Sequence, residues 1–276
     1  MPELPEVEAT RRRIARSMVR ARIDAVELHR PDLRAPFPRG FVRRLAGQTV
    51  LSLTRRGKFL LASLSSGDTL LMHLGMSGSF RTMSDVRRRS AGPRLGAHDH
   101  VVFHMSTRRS VVFNDPRRFG VMSLIRRSEL PWHPVMTVLG PEPLSSEFDA
   151  ISLARACRGR RTNLKAALLD QRVVAGLGNI YASEALHVAG LSPLRSASIL
   201  ATPRGTPREA AHRLAAAIKH VLEKAIAHQT GDMYRDDRFL VYDREGDPCL
   251  RGGCRGAIRR RTQHGRSTFY CPVCQH

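Results

Sequence analysis

The sequence predicts an α+β multidomain protein: an N-terminal β-sandwich with flanking helices, then a helical domain, then a small cysteine-bearing hairpin. Three observations carry this. Residues from about 22 to 125 fall into short β-like runs broken by turn signals. Residues beyond 150 follow helical periodicity, and four of the five cysteines crowd into the last 28 residues. With 276 residues and 42% hydrophobic side chains, the chain is long enough for two modest cores. The expected boundaries are 1–130 for the sandwich domain, 131–146 for a linker, 147–240 for the helical domain and 241–276 for the cysteine-bearing tail.

Pro5 suits the first turn of a helix, and the stretch to about Val19 places Val7, Ile14 and Met18 on one face with arginines around them. Strands are expected at Val50–Thr54, Phe59–Leu64, Thr69–Leu74, Val101–Met105 and Val111–Phe113. Arg-Gly, Ser-Gly-Asp and Asn-Asp-Pro turns separate them, a pattern that fits a sandwich or barrel. The basic stretch Arg81–Arg94 reads as a mobile loop, and four prolines between Glu129 and Ser146 mark a linker. Helices are expected at Ile151–Cys157, Asn163–Asp170, Ile180–Ala189 and Pro207–His228, with a turn at Gly176–Asn179. In the last helix Leu214, Ile218, Val221, Leu222 and Ala225 form a core stripe, while Lys219 and Lys224 are expected to face water.

The net charge is +22, which calls for a polyanionic partner. The longest apolar runs, such as Phe59–Leu64, fall far short of the ~20 residues a membrane span needs. The acidic start Met-Pro-Glu-Leu-Pro-Glu-Val-Glu is no signal peptide, and the crowded cysteines are no secreted disulfide framework. A cytoplasmic, nucleic-acid-facing protein is therefore expected. Only four of the 46 basic residues are lysines: Lys58, Lys165, Lys219 and Lys224. Genome composition explains most of that bias. Still, only lysine can release a proton near neutral pH, so Lys58 and Lys165 stand out as candidates for chemistry.

Cys249-x4-Cys254 and Cys271-x2-Cys274 are two close pairs, sixteen residues apart. Such pairs can fold as two knuckles that converge four thiolates on one tetrahedral Zn²⁺; free thiols are the alternative. Arg255, Arg259, Arg260, Arg261 and Arg266 lie between the pairs, and residues 249–276 contain no Asp or Glu. A metal-stapled hairpin covered in arginine suits phosphate contact, although a solvated charged surface would look the same. Cys157 stands apart as a buried core residue.

Removal of Met1 would expose the secondary amine of Pro2. An α-amino group has a pKa near 7.7–8.0, so a useful fraction is unprotonated at neutral pH. A secondary amine can attack a sugar's anomeric carbon and form an iminium directly. Glu3 and Glu6 beside it can shuttle protons, or can serve only as partners of the helix dipole.

Val174–Glu184 carries two glycines of a dinucleotide fingerprint, but Tyr181 stands where the third is needed and no strand precedes it. A helix-turn-helix corner fits better, with backbone amides and Asn179 approaching a phosphate. The turn Asn114-Asp115-Pro116-Arg117-Arg118-Phe119-Gly120, with Met76 of Leu74-Gly75-Met76-Ser77-Gly78, offers apolar wedges for a minor groove; a core Phe and Met are the alternative.

Taken together, these motifs resemble the bacterial formamidopyrimidine-DNA glycosylases, bifunctional base-excision repair enzymes of the helix-two-turn-helix class. The resemblance runs nearly end to end. It covers Met-Pro-Glu-Leu-Pro-Glu, Lys58 in Arg-Gly-Lys-Phe, Leu-Gly-Met-Ser-Gly, His98-Asp99-His100, Asn-Asp-Pro-Arg-Arg-Phe-Gly, Gly-Leu-Gly-Asn-Ile-Tyr and the cysteine tail. Leu4 favours this family over its endonuclease VIII-like relatives, which typically have glycine there.

The resemblance implies a helix-two-turn-helix domain, a zinc-finger β-hairpin, and removal of oxidised purines followed by β,δ-elimination at the abasic site. It implies Pro2 as nucleophile, Glu3 as proton donor and acceptor at the sugar, Lys58 as an acid, and Arg266 as the zinc-hairpin arginine of the δ step. Met76, Arg117 and Phe119 would fill the gap left by the flipped nucleotide. His98, Arg161, Lys165, Asn179 and Tyr242 would contact the DNA backbone. One structural Zn²⁺ on Cys249, Cys254, Cys271 and Cys274 would be the only cofactor, damaged double-stranded DNA the partner, and a monomer the working form. The x4 spacing departs from the commoner x2, which zinc tolerates. Residues 227–240 are shorter than the family's glycine-containing loop that closes over a flipped 8-oxoguanine, which bears on lesion choice. The alternatives are an endonuclease VIII-like relative acting on oxidised pyrimidines and a non-catalytic zinc DNA-binding protein; Pro2, Glu3 and Lys58 disfavour the latter.

Overall fold

In the computed structural model, which describes residues 1–84, 95–228 and 239–276, residues 1–137 form one unit and residues 138–276 a second. Helix α1 (Leu4–Met18) buries Val7, Ile14 and Met18, as their spacing predicts. The rest of the first unit is β1 (Ile23–Leu28), a short α2 (Phe41–Leu45), β2 (Val50–Arg56), β3 (Phe59–Leu64), β4 (Asp68–His73), β5 (Ser79–Ser84), β6 (Asp99–Met105), β7 (Arg109–Asn114) and β8 (Val121–Arg126). The strands form two antiparallel four-stranded sheets, ordered β1-β6-β7-β5 and β2-β3-β4-β8. Leu60, Ala62 and Leu64 of one sheet meet Val101, Phe103, Val111 and Phe113 of the other in a single core that also takes in the α1 stripe. The sandwich expected from the sequence is therefore present.

The strands that no apolar run marks, β1, β5 and β8, each lie at a sheet edge. An edge strand buries fewer side chains, so its alternation is weak; β5, for instance, fully buries only Phe80. Central β6 is buried at all seven positions and reads instead as a continuous run.

One expectation needs correcting in this unit. Arg81 is not in a loop: residues 81–84 belong to β5, where Arg81 pairs with the buried carboxylate of Asp99, and residues 85–94 lie outside the described residues. The proline-rich segment, expected as a linker, carries short elements of its own. It forms a 3-10 turn (Leu130–Trp132) and α3 (Pro134–Thr137), and Leu130 and Met136 cover Leu61, Leu71 and Ile125 on the outer face of the second sheet. Proline is welcome in a first helical turn, where its missing N–H has no partner to lose.

The second unit holds α4 (Ala150–Cys157), α5 (Leu164–Leu169), α6 (Asn179–Ala189), α7 (Glu209–His228) and the hairpin β9 (Arg259–Gln263) and β10 (Arg266–Tyr270). Helix α6 is buried on nearly every side and packs on α7. The α7 stripe is Ala211, Leu214, Ala215, Ala217, Ile218 and Leu222, with Val221 and Ala225 only half-buried. Lys224 is exposed as expected. Lys219 is not: half-buried, it donates to the Ser145 carbonyl at 3.3 Å. Cys157 is fully buried, and burial pushes its thiol up to about 11, so it stays a protonated core residue. Among the described residues no helix is long and apolar enough to cross a membrane.

Candidate active site and zinc centre

Three contacts define how α1 lies along β2. The Arg20 N–H donates to the Val50 carbonyl at 2.7 Å, the Arg11 guanidinium donates to the Leu53 carbonyl at 3.3 Å, and the Glu8 carboxylate lies 3.5 Å from Arg55. Helix and strand are thus antiparallel. From Glu8, the chain reaches back about 9 Å to Pro2; from Arg55, the strand reaches forward about 10 Å to Lys58. The N-terminus and the β2–β3 turn therefore lie at the same end of the sandwich. In that turn Arg56 pairs with Phe59, leaving the two-residue loop Gly57-Lys58, and Gly57 supplies the positive φ of 56° that such loops demand. Lys58 is buried although it sits in a turn, and so are Pro2 and Glu3. The Glu3 N–H donates to Glu6 Oε2 at 2.8 Å, so Glu6 is the residue that closes the start of α1.

His73, at the same sheet end, belongs to no motif that the sequence singles out. It pairs with Phe59 across the strands, with ring centroids 4.8 Å apart, and its Nδ1 accepts the Gly75 N–H at 3.0 Å. Its only sequence signal is its place directly before Leu-Gly-Met-Ser-Gly. Burial, then the positive charges of Lys58 and Arg34, push its imidazole down to about 4. The folded protein resists this proton while the unfolded chain takes it up near pH 6.5. This contribution to stability is whole above about pH 6.5 and is lost as pH falls toward 4. Urea melts should show wild type losing on the order of 2 kcal/mol more than His73→Gln between pH 7 and 4.5. Parallel losses in the two proteins would refute this assignment.

Two turns beyond β4 and β7 interlock beside His73. Ser77 Oγ donates to Asp115 Oδ1 at 2.6 Å and accepts the Arg117 N–H at 3.1 Å, while Asp115 Oδ2 accepts the Gly120 N–H at 2.7 Å. The turns approach so closely that a Cβ on Gly75 would stand 2.3 Å from the Phe119 carbonyl carbon. From this rigid base Met76 and Phe119 project 38% and 42% exposed, with the Arg117 guanidinium 4.8 Å over the Phe119 ring. Core packing does not account for them. An exposed thioether, a ring and a guanidinium held together form a wedge that can enter a base stack. His98 is exposed and accepts the Asp115 N–H on its carbonyl at 2.9 Å. The fully buried Asp115 ties these pieces together, a role no local pattern gives away.

In the second unit, Arg255, Arg259, Arg260, Arg261 and Arg266 are all exposed on and before the hairpin, as is Arg161 between α4 and α5. Lys165 and Asn179, expected on a DNA backbone, hold that hairpin. Lys165 is 1% exposed, and its ammonium donates to the Ser267 carbonyl at 2.6 Å and to Thr268 Oγ1 at 2.8 Å. Asn179 Nδ2 donates to the same Ser267 carbonyl at 3.1 Å. Arg266 thus sits next to a residue clamped by the starts of both α5 and α6.

Tyr242 is half-buried in a ladder of T-shaped ring contacts that runs Tyr181, Phe239, Tyr242, Phe269. Beneath the ladder lies Glu184, a second residue that its own sequence neighbourhood does not mark. Its buried carboxylate accepts the N–H groups of Leu240, Val241 and Tyr242 at 2.8–2.9 Å. Burial pushes its pKa up against the pull of those three donors. It anchors the chain where residues 227–240 end; of that segment, 229–238 lie outside the described residues.

Cys249, Cys254, Cys271 and Cys274 converge, their ligand atoms all within 4.8 Å of one another. The Cys249–Cys274 and Cys254–Cys271 sulfurs are 3.7 and 3.6 Å apart. A tetrahedron with zinc–sulfur bonds of ~2.3 Å has edges of about 3.8 Å, so the donor set fits Zn²⁺.

The formamidopyrimidine-DNA glycosylase N-terminal domain model matches residues 1–122, the H2TH domain model of the same family matches 139–236, and the zinc finger found in FPG and IleRS matches 246–276. The chain belongs to the formamidopyrimidine-DNA glycosylase family. It is 55% identical to the formamidopyrimidine-DNA glycosylases of Bradyrhizobium sp. (strain ORS 278) and Rhodopseudomonas palustris (strain BisA53), with both chains covered in full. Among solved structures it is similar to the Lactococcus lactis member of the family bound to DNA containing N7-benzyl-Fapy-dG, with a TM-score of 0.87, 30% identity and full coverage of both chains. A MutM complex with DNA containing carbocyclic 8-oxo-G matches with a TM-score of 0.86, 30% identity and full coverage of both chains. The family's zinc-finger match takes in all four converging cysteines, so they hold one structural zinc ion.

Proposed function

We propose that this chain is a DNA glycosylase that removes oxidised purines, formamidopyrimidines and 8-oxoguanine, from damaged double-stranded DNA and then cleaves the strand as an abasic-site lyase. The observation that carries this is that the N-terminus and Lys58 lie at one end of the sandwich, where His73 leads into the wedge turns. Once Met1 is removed, the Pro2 amine attacks the anomeric carbon of the flipped nucleotide. The glycosidic bond breaks and the base leaves with a proton supplied by Lys58; the Pro2 nitrogen gives up its proton, the C1′–O4′ bond opens with O4′ protonated through Glu3, and an iminium links protein to the ring-opened sugar. Glu3 takes and returns protons at the sugar. Loss of a C2′ proton then expels the 3′ phosphate, and the δ step, assisted by Arg266, expels the 5′ phosphate. Met76, Arg117 and Phe119 hold the vacated space in the duplex. His98, Arg161, Lys165, Asn179 and Tyr242 meet the DNA backbone. Such an enzyme works in the cytoplasm, at the nucleoid, and as a monomer.

A panel of single-lesion duplexes tests this. Oxidised purines should be excised and the strand left with phosphates on both sides of a gap. Excision of oxidised pyrimidines alone would favour the endonuclease VIII-like reading; binding without cleavage would favour a pure binding protein. The panel also bears on lesion choice. The alignment with the Bradyrhizobium relative spans 292 positions against 276 residues here, so the relative carries about sixteen residues that this chain lacks. Residues 227–240 are the segment read as short. Each missing enclosing hydrogen bond costs on the order of 1 kcal/mol, so several would weaken 8-oxoguanine selection roughly ten- to a hundred-fold. Ring-opened purines should be favoured more strongly than by relatives with the longer loop. Equal or faster removal of 8-oxoguanine opposite cytosine would mean another element encloses the base.

A further inference from the structure

His187 lies on the last turns of α6, 2% exposed, with Nε2 3.3 Å from Cys249 Sγ and 3.8 Å from Cys274 Sγ. Among the described residues its other ring nitrogen, Nδ1, is buried without a hydrogen-bond partner. A thiolate on zinc carries no proton and can only accept. The tautomer with its proton on Nδ1 would strand a buried donor and set the Nε2 lone pair against a thiolate, two penalties at once. The tautomer protonated on Nε2 leaves only a bare acceptor unpaired. The same residue holds the knuckle by its backbone too. Arg251, inside the longer Cys249-x4-Cys254 loop, donates to the carbonyls of His187 and Val188 at the end of α6.

We infer that His187 is a positioning residue of the zinc centre: as an Nε2–H tautomer it donates an N–H···S hydrogen bond to the Cys249 thiolate and joins α6 to the metal-bearing knuckle. A four-thiolate zinc centre has a formal charge of −2 in partly buried surroundings, so a donor aimed at one sulfur draws off charge and steadies the ligand. The inference concerns the hold of this chain on zinc and stands apart from the lesion it excises.

The full-length, zinc-loaded protein tests it. His187→Phe fills the space with a ring that cannot donate; it should speed zinc loss to a chromogenic chelator ten- to a hundred-fold. In the cobalt-substituted protein the sulfur-to-metal charge-transfer band should move to longer wavelength, because an unbonded thiolate gives up charge more readily. His187→Gln, which keeps a terminal N–H, should restore both readouts toward wild type. Unchanged zinc loss and an unchanged band in His187→Phe would overturn the inference. Should His187→Phe fail to fold, ¹⁵N spectra of the wild-type ring decide: an Nε2-bound proton is required, and an Nδ1-bound proton would refute the proposal.

Discussion

A protein carrying two extra residues ahead of Pro2 should lose covalent trapping by borohydride on DNA with an abasic site, by on the order of 10³-fold, and Pro2→Gly should be strongly impaired. The extra residues turn the secondary amine into an amide, which is no nucleophile. Affinity for the same DNA should change by no more than about threefold, because the exposed arginines proposed to meet phosphates are untouched. The two measurements together separate chemistry from binding. If either variant traps as well as wild type, another amine forms the link, and Lys58, at the same end of the sandwich, becomes the candidate. Strand cleavage without trapping would instead point to elimination that never passes through an iminium.

Cys271→Ser should take the zinc content from one ion per chain toward none and weaken DNA binding about ten- to a hundred-fold. Cys271 is fully buried in the small cluster with Val241, Ile258 and Phe269, so its replacement removes both a ligand and a packed side chain. A lone two-stranded hairpin is marginal in water, and metal binding at such sites contributes roughly 10 kcal/mol or more to folding. Without it, Arg259, Arg260, Arg261 and Arg266 are no longer held on an ordered hairpin. The salt dependence should report this directly: every phosphate left un-neutralised lowers the slope of log K against log salt by about 0.9. A variant with normal zinc content and an unchanged slope would take the hairpin out of DNA binding altogether.

Much of this molecule is determined by features that act over a few residues. The α1 stripe, the central strands, the helices from α4 onward and the four zinc cysteines follow from spacing, because periodicity and ligand geometry are set within one element or knuckle. Pro2, Glu3, Lys58, Met76, Arg117, Phe119 and Arg266 stand out instead through short motifs that resemble the family's, and their roles belong to the proposed function. Tertiary structure alone decided the rest. The edge strands β1, β5 and β8 exist because a neighbour supplies their hydrogen bonds, not because their own sequences alternate strongly. Lys165 is a buried clamp, a role its spacing does not mark, because α5 meets a carbonyl a hundred residues later in the chain. His73, Asp115, Glu184 and His187 gave little or no signal. Each acts on a group that the fold brings to it, and burial then makes its hydrogen bonds obligatory: an unpaired polar group inside costs far more than one in water. Sequence thus named the candidate groups for chemistry, and packing chose the residues that hold them in place.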